Sequence, residues 1–208
     1  KKGIESKERI GTLPLRMSSL LRYRGVNTPE EAERFLHPRL TDLLDPSTMP
    51  GMEKAVSIIR QAVREQWGIT IYGDYDVDGI CATSIMLETL RDLGAQHVRP
   101  YIPSRHEEGY GLNADAMELL AKESRLLLTV DCGVIAVSEA ALATELGLRL
   151  IITDHHTPPD TLPVHDALIN PMLGGYPFPS LCGAGVAWKL SWALHGLAFA
   201  KNQLDLAA

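Results

Sequence analysis

The chain has 208 residues, of which 45% are hydrophobic and 22% charged, the balance of a folded globular protein with room for one ordinary domain and a small addition. That composition excludes a disordered chain, and a formal net charge of −6 excludes reading bulk charge as a nucleic-acid footprint, which would be basic. A cluster of acids that binds cations would push the charge the same way, so the location of the excess acid becomes the question.

Cys81, Cys132 and Cys182 are widely spaced and form no CxxC pair. They read as reduced thiols of a cytoplasmic protein, neither a disulfide framework nor a zinc site. No apolar run approaches the roughly 20 residues of a membrane span, so no membrane contact is expected. The start, Lys1-Lys2-Gly3-Ile4-Glu5, has no Met and no apolar signal core, and the chain is expected to be a piece of a longer product.

Residues 1–50 read as a small helical segment. Thr28-Pro29-Glu30-Glu31 is a helix start, with Thr28 as N-cap, Pro29 at the first helical position and Glu31 closing a capping box. The helix stops near His37-Pro38, and Leu40–Pro50 reads as a loop into the main domain, residues 51–208. Met52–Gln66 carries Ala55, Ile58, Ile59, Ala62 and Val63 at helical spacing. From residue 68 the pattern alternates. Strands are predicted at 69–72, 98–102, 126–130, 148–153 and 167–169, and helices at 79–93, 113–122, 135–146 and 184–195. Strands alternating with helices of this length imply an α/β fold, a mainly parallel five-stranded sheet with helices on both faces.

Three of these strands end in acid. The first runs into Gly73-Asp74-Tyr75-Asp76-Val77-Asp78-Gly79, the third into Asp131-Cys132-Gly133, and the fourth into Asp154-His155-His156. A parallel sheet delivers the C-terminal ends of its strands to one edge, where ligand crevices form. Five carboxylates meeting there would repel one another unless cations neutralised them, and two divalent ions come close to balance. Carboxylate with imidazole suits Mn²⁺, Mg²⁺, Fe²⁺ or Zn²⁺. Two metals sharing a carboxylate can activate water and clamp a phosphoryl group, so the residues point to a dinuclear phosphoesterase. Taken singly, each piece has a plainer reading. DxDxDG can be a turn or a calcium loop, although Ile85 stands where an EF-hand needs Glu. Asp131 alone can be an N-cap.

Together, Asp74-Tyr75-Asp76-Val77-Asp78-Gly79, Val130-Asp131-Cys132-Gly133 and Asp154-His155-His156 resemble motifs I to III of the DHH phosphoesterase superfamily. Thr28–Leu36, Glu107–Asn113 and Gly183–Leu190 narrow the similarity to its bacterial single-strand-specific 5′→3′ exonucleases, over roughly residues 15–208. The resemblance implies that Asp76 ligates one metal and Asp78 the other, with Asp74 close by. It implies that Asp131 bridges the two, that His155 is a ligand, and that Asp154 positions a histidine. His156 would face the scissile phosphate, and Asp131, Asp154 and His156 form the implied catalytic set. The implied cofactors are two Mn²⁺ or Mg²⁺ ions. The implied substrate is single-stranded DNA in repair and recombination, with a helicase and a single-strand-binding protein as partners and a monomeric, cytoplasmic enzyme. A family member acting on short oligonucleotides or small phosphate compounds, or a non-catalytic scaffold on DNA, is the alternative. The family's fourth motif and second lobe are not in this sequence, so incomplete metal binding is expected.

For substrate contacts, Arg105 could hold a phosphate and Tyr110 could stack on a base. Gly183 and Gly185 open a helix whose N–H groups could receive a phosphate, or they allow close helix–sheet packing. Trp67, Trp188 and Trp192 read as packing residues.

Overall fold

The structure is a computed structural model that describes residues 8–104 and 111–207. The chain divides into two compact units, Lys1–Leu44 and Asp45–Ala208. In the first, α1 (Leu15–Tyr23) and α2 (Pro29–Leu36) gather around Ile10, Leu21 and Ala32. The capping box at Thr28 and Glu31 forms as its residues dictate: the Glu31 N–H donates to Thr28 Oγ1 (3.1 Å) and the Thr28 N–H donates to Glu31 Oε2 (3.1 Å). Helix α1 has no counterpart in the sequence reading. Its N-cap is Pro14, which offers no side-chain cap, so no start signal marks it.

The second unit opens with a short turn at Pro46–Thr48 and α3 (Met52–Arg64). Then follow β1 (Ile69–Gly73), α4 (Val77–Asp92), β2 (Val98–Tyr101), α5 (Ala114–Leu120), β3 (Leu126–Val130), α6 (Val137–Glu145), β4 (Arg149–Thr153), β5 (Ala167–Ile169) and α7 (Gly183–His195). Two one-turn helices, α8 (Leu197–Ala200) and α9 (Leu204–Ala207), close the unit. All five strands are parallel, in the order β2-β1-β3-β4-β5. The α/β class, the five strands and the helices flanking them agree with the expectation.

Alternate side chains of each strand pack into two cores. Ile69, Ile71, Leu126, Leu128, Val130 and Ile151 meet α3, α4 and α7. Tyr72, Leu127, Leu150 and Ile152 meet α5 and α6. Helices therefore cover both faces, which is why β1 and β3 are buried throughout and do not alternate between apolar and exposed polar residues. The tryptophans serve this packing: Trp188 Nε1 donates to Ala200 O (2.6 Å), and Arg125 lies over the Trp67 ring (3.8 Å).

The topology positions the site. From β1 the chain moves to one edge to form β2, then returns past β1 to form β3. The reversal falls between β1 and β3, where an open parallel sheet leaves a crevice beyond its strand ends. Register sharpens this. Gly73 pairs with Val130, Val130 with Thr153, and Thr153 with Ile169. The next residue on each strand is Asp74, Asp131, Asp154 and Asn170, so four polar residues stand at the same edge.

Candidate metal centre

Two groups of side chains offer converging ligand atoms, and Asp131 belongs to both. Asp74, Asp76 and Asp131 form one; Asp131, His155 and His156 form the other, with the ligand atoms of each group within 4.8 Å of one another. Asp131 is 2% exposed, and burial together with the charges of Asp78, Asp76, Asp154 and Asp74 pushes its carboxyl up to about 8. Burial also raises the Asp74 carboxyl, with Asp76 adding to the effect.

The Oδ1 atoms of Asp74 and Asp131 are buried with no hydrogen-bond partner among the described residues. His155 Nε2 stands 3.1 Å from Asp131 Oδ1 without making a hydrogen bond to it. Buried polar atoms are rarely left so, and a cation held between these groups would satisfy them. Burial pushes the thiols of Cys132 and Cys182 up, and among the described residues neither joins the two converging ligand groups. The donor set is carboxylate and imidazole, which suits Mn²⁺ or Mg²⁺.

The remaining motif residues hold this arrangement in place. Asp76 is the N-cap of α4, and its Oδ1 accepts the Gly79 N–H (3.0 Å). Asp154, 1% exposed, accepts the Val134 N–H at Oδ2 (2.9 Å). Its Oδ1 accepts the N–H groups of His155 (2.7 Å) and His156 (3.1 Å) and lies 2.7 Å from His156 Nδ1. An ionised carboxylate only accepts, so Nδ1 carries the proton and Nε2 is the nitrogen that can serve a metal or phosphate. Asp154 thus touches the ligand groups through hydrogen bonds to its two histidine neighbours.

Asp78 Oδ2 lies 3.5 Å from His155 Nε2, on the same side as the second group. The Gly183 N–H donates to Asp78 Oδ2 (2.8 Å) and the Ala184 N–H to Oδ1 (2.6 Å), stapling α7 to the start of α4. Each oxygen keeps a second lone pair for a cation. The N–H groups of Gly183 and Gly185, expected either to receive a phosphate or to mark close packing, have partners within the chain. The Gly183 N–H is taken by Asp78, and the Gly185 N–H by Cys182 Sγ (3.3 Å). Gly183 instead meets a steric demand: a Cβ there would stand 2.6 Å from Asp131 Cβ and closer still to its Cγ. Arg105 and Tyr110 lie outside the described residues.

Asn170 was not among the expected site residues. It is fully buried at the end of β5, and its Nδ2 donates to His156 O (2.9 Å) while its Oδ1 accepts the Met172 N–H (2.9 Å). The only signal for it was its place one residue past a strand, which a short strand made faint.

A model of the DHH family, N-terminal domain, matches residues 68–208. The chain belongs to the DHH family. The single-stranded-DNA-specific exonuclease RecJ of Bacillus subtilis is 48% identical over 204 residues, covering 97% of this chain and 26% of that protein. RecJ of Escherichia coli is 38% identical over 190 residues, covering 88% of this chain and 32% of the relative. Among solved structures, exonuclease RecJ bound to manganese is similar with a TM-score of 0.74 at 39% identity, over 79% of this chain and 43% of that one. RecJ of Thermus thermophilus in complex with Mn²⁺ is similar with a TM-score of 0.73 at 33% identity, over 90% of this chain and 26% of that one. This DHH chain therefore spans about a quarter to a third of the length of the curated relatives named here.

Proposed function

We propose that this DHH chain carries the metal-binding half of a hydrolase that removes nucleotides from the 5′ end of single-stranded DNA. The observation that carries the reading is Asp131, a buried carboxylate whose Oδ1 has no hydrogen-bond partner and which two ligand groups share at the switch point of the sheet. Similarity to RecJ proteins that are named for single-stranded DNA and solved with Mn²⁺ supports it.

In this reading Asp74, Asp76 and Asp131 hold one divalent cation. Asp131, His155 and Asp78 hold the second, with His156 beside them on the side of the phosphate. Bound Mn²⁺ or Mg²⁺ would supply Lewis acidity to a phosphodiester and lower the pKa of a water. The protein's own contribution is order and charge. Asp154 fixes the protonation of His156, Asp78 ties α7 to the cleft, and the excess acid waits for cations. The N-terminal segment 1–50 and catalytic domain 51–208 follow the same proposal, with Arg105 and Tyr110 as its substrate contacts.

No helix among the described residues is long and apolar enough to cross a membrane. We place the enzyme in the cytoplasm as a monomer acting in repair and recombination. A nuclease confined to single strands needs a helicase to supply them from duplex and meets single-strand-binding protein on them. The test is digestion of long 5′-labelled single strands by the full-length protein with Mn²⁺. Release of 5′ nucleotides is expected; cleavage of dinucleotides or small phosphates alone would overturn the single-strand reading.

A further inference from the structure

The backbone of Asp131 sits at φ +61°, in the left-handed region that non-glycine residues seldom occupy. Continued as a strand, β3 would carry residue 131 along its own direction. The left-handed turn instead swings the carboxylate to where both ligand groups can reach it. Such backbone costs energy and persists only when its surroundings enforce it.

Thr129 lies against this turn. Its side chain is fully buried, and Oγ1 donates to Cys132 O (2.8 Å), closing the chain over Asp131. The Thr129 carbonyl accepts Thr153 Oγ1 (2.8 Å), tying the turn to the strand that delivers Asp154. Gly133 closes the other side: a Cβ there would lie 2.9 Å from Thr129 Oγ1. The hydroxyl therefore sits inside the turn, bound to its far end.

We infer that Thr129 is a positioning residue for Asp131, its hydroxyl holding the turn that aims the shared carboxylate. The inference rests on the proposed role of Asp131 as a ligand to both cations. It is tested in the full-length protein by Mn²⁺ titration, followed through the electron paramagnetic resonance of free Mn²⁺, and by steady-state cleavage of 5′-ended single strands. Thr129→Val keeps the shape and loses the hydroxyl. It is expected to weaken Mn²⁺ binding about tenfold or more, the scale of losing a group that orients a ligand. The kcat should fall with it while KM for DNA stays near the wild-type value, and Thr129→Ser should retain most of the affinity. Should Thr129→Val fail to fold, Thr129→Ala and Thr129→Ser make the same comparison, since both lack the methyl and differ only in the hydroxyl. Equal Mn²⁺ binding with and without the hydroxyl would overturn the role of Thr129 alone. A wild-type protein that binds no Mn²⁺ would overturn the metal reading itself.

Discussion

Gly183 and Asp131 are pressed together so closely that the first residue of α7 has no room for a side chain: a Cβ would stand 2.6 Å from Asp131 Cβ. The same residue donates its N–H to Asp78. Gly183→Ala must therefore move either the carboxylate or the helix, and the helix is anchored in the core through Val186, Ala187 and Leu190. We expect a cost of about 1–3 kcal/mol, as for overpacking elsewhere, and weaker Mn²⁺ binding. Thermal unfolding and Mn²⁺ titration of the variant measure both, and unchanged values would show that the contact relaxes freely.

Asp131→Asn separates function from stability. Asparagine tolerates the left-handed backbone at 131, keeps the shape and removes an ionisable group set among Asp74, Asp76, Asp78 and Asp154. Cleavage is expected to be lost. Without metal, the variant should unfold at a higher temperature than the wild type at neutral pH, because the folded wild type must take up a proton at Asp131 that its unfolded chain releases, and asparagine removes that cost. A less stable metal-free variant would contradict this account of the cleft.

The pH dependence has a definite sign. In the metal-free protein the Asp131 carboxyl is raised to about 8 from an ordinary 3.8, so the folded state binds a proton that the unfolded state releases. That contribution to stability is complete below the unfolded value and is lost as pH rises toward 8. A cation must displace the same proton. Mn²⁺ affinity should therefore climb with pH, by about tenfold per unit at most for one proton, and level off above 8. Calorimetric titration in buffers of different ionisation enthalpy counts the proton released; a count of zero at pH 6.5 would refute the shift.

Lys189 provides a second pH signature, away from the cleft. It is buried in α7 with Nζ 4.5 Å from the centre of the Trp192 ring, and burial lowers it to about 8, with Asp45 acting in the opposite sense. The folded state therefore releases a proton that the unfolded chain keeps until about 10.5. Stability from this group should rise as pH goes from 8 toward 10.5, and Lys189→Met should remove that rise in a denaturant series across the range.

The sequence made some of this legible and hid the rest for identifiable reasons. Asp74, Asp131 and Asp154 could be found because a parallel sheet must bring its strand ends to one edge, wherever they fall in the chain. Their shared register could not, since strand pairing is not written in any one segment. Glycine at 183 carries the same mark whether it serves a phosphate or a close approach, and only the position of Asp131 decides between them. Thr129 looked like any β-branched residue of a buried strand, because its use depends on the turn that follows. Helix α1 lacked a cap and so lacked a start.

Asn170 tests how far the support of the cleft extends. Its Nδ2 donates to the carbonyl of His156, whose ring is held from the other side by Asp154. Asn170→Asp keeps the size and the Oδ1 that accepts the Met172 N–H but replaces the donor with an acceptor facing the His156 carbonyl. Setting two acceptors against each other is destabilising, and the effect should reach the imidazole through its backbone. We expect a lower melting temperature, a fall in kcat larger than any change in KM, and a shifted His156 ring resonance in ¹⁵N spectra of the metal-free protein. Asn170→Asp with a lowered melting temperature but wild-type kcat and an unmoved ring resonance would show that Asn170 supports β5 and not the histidine.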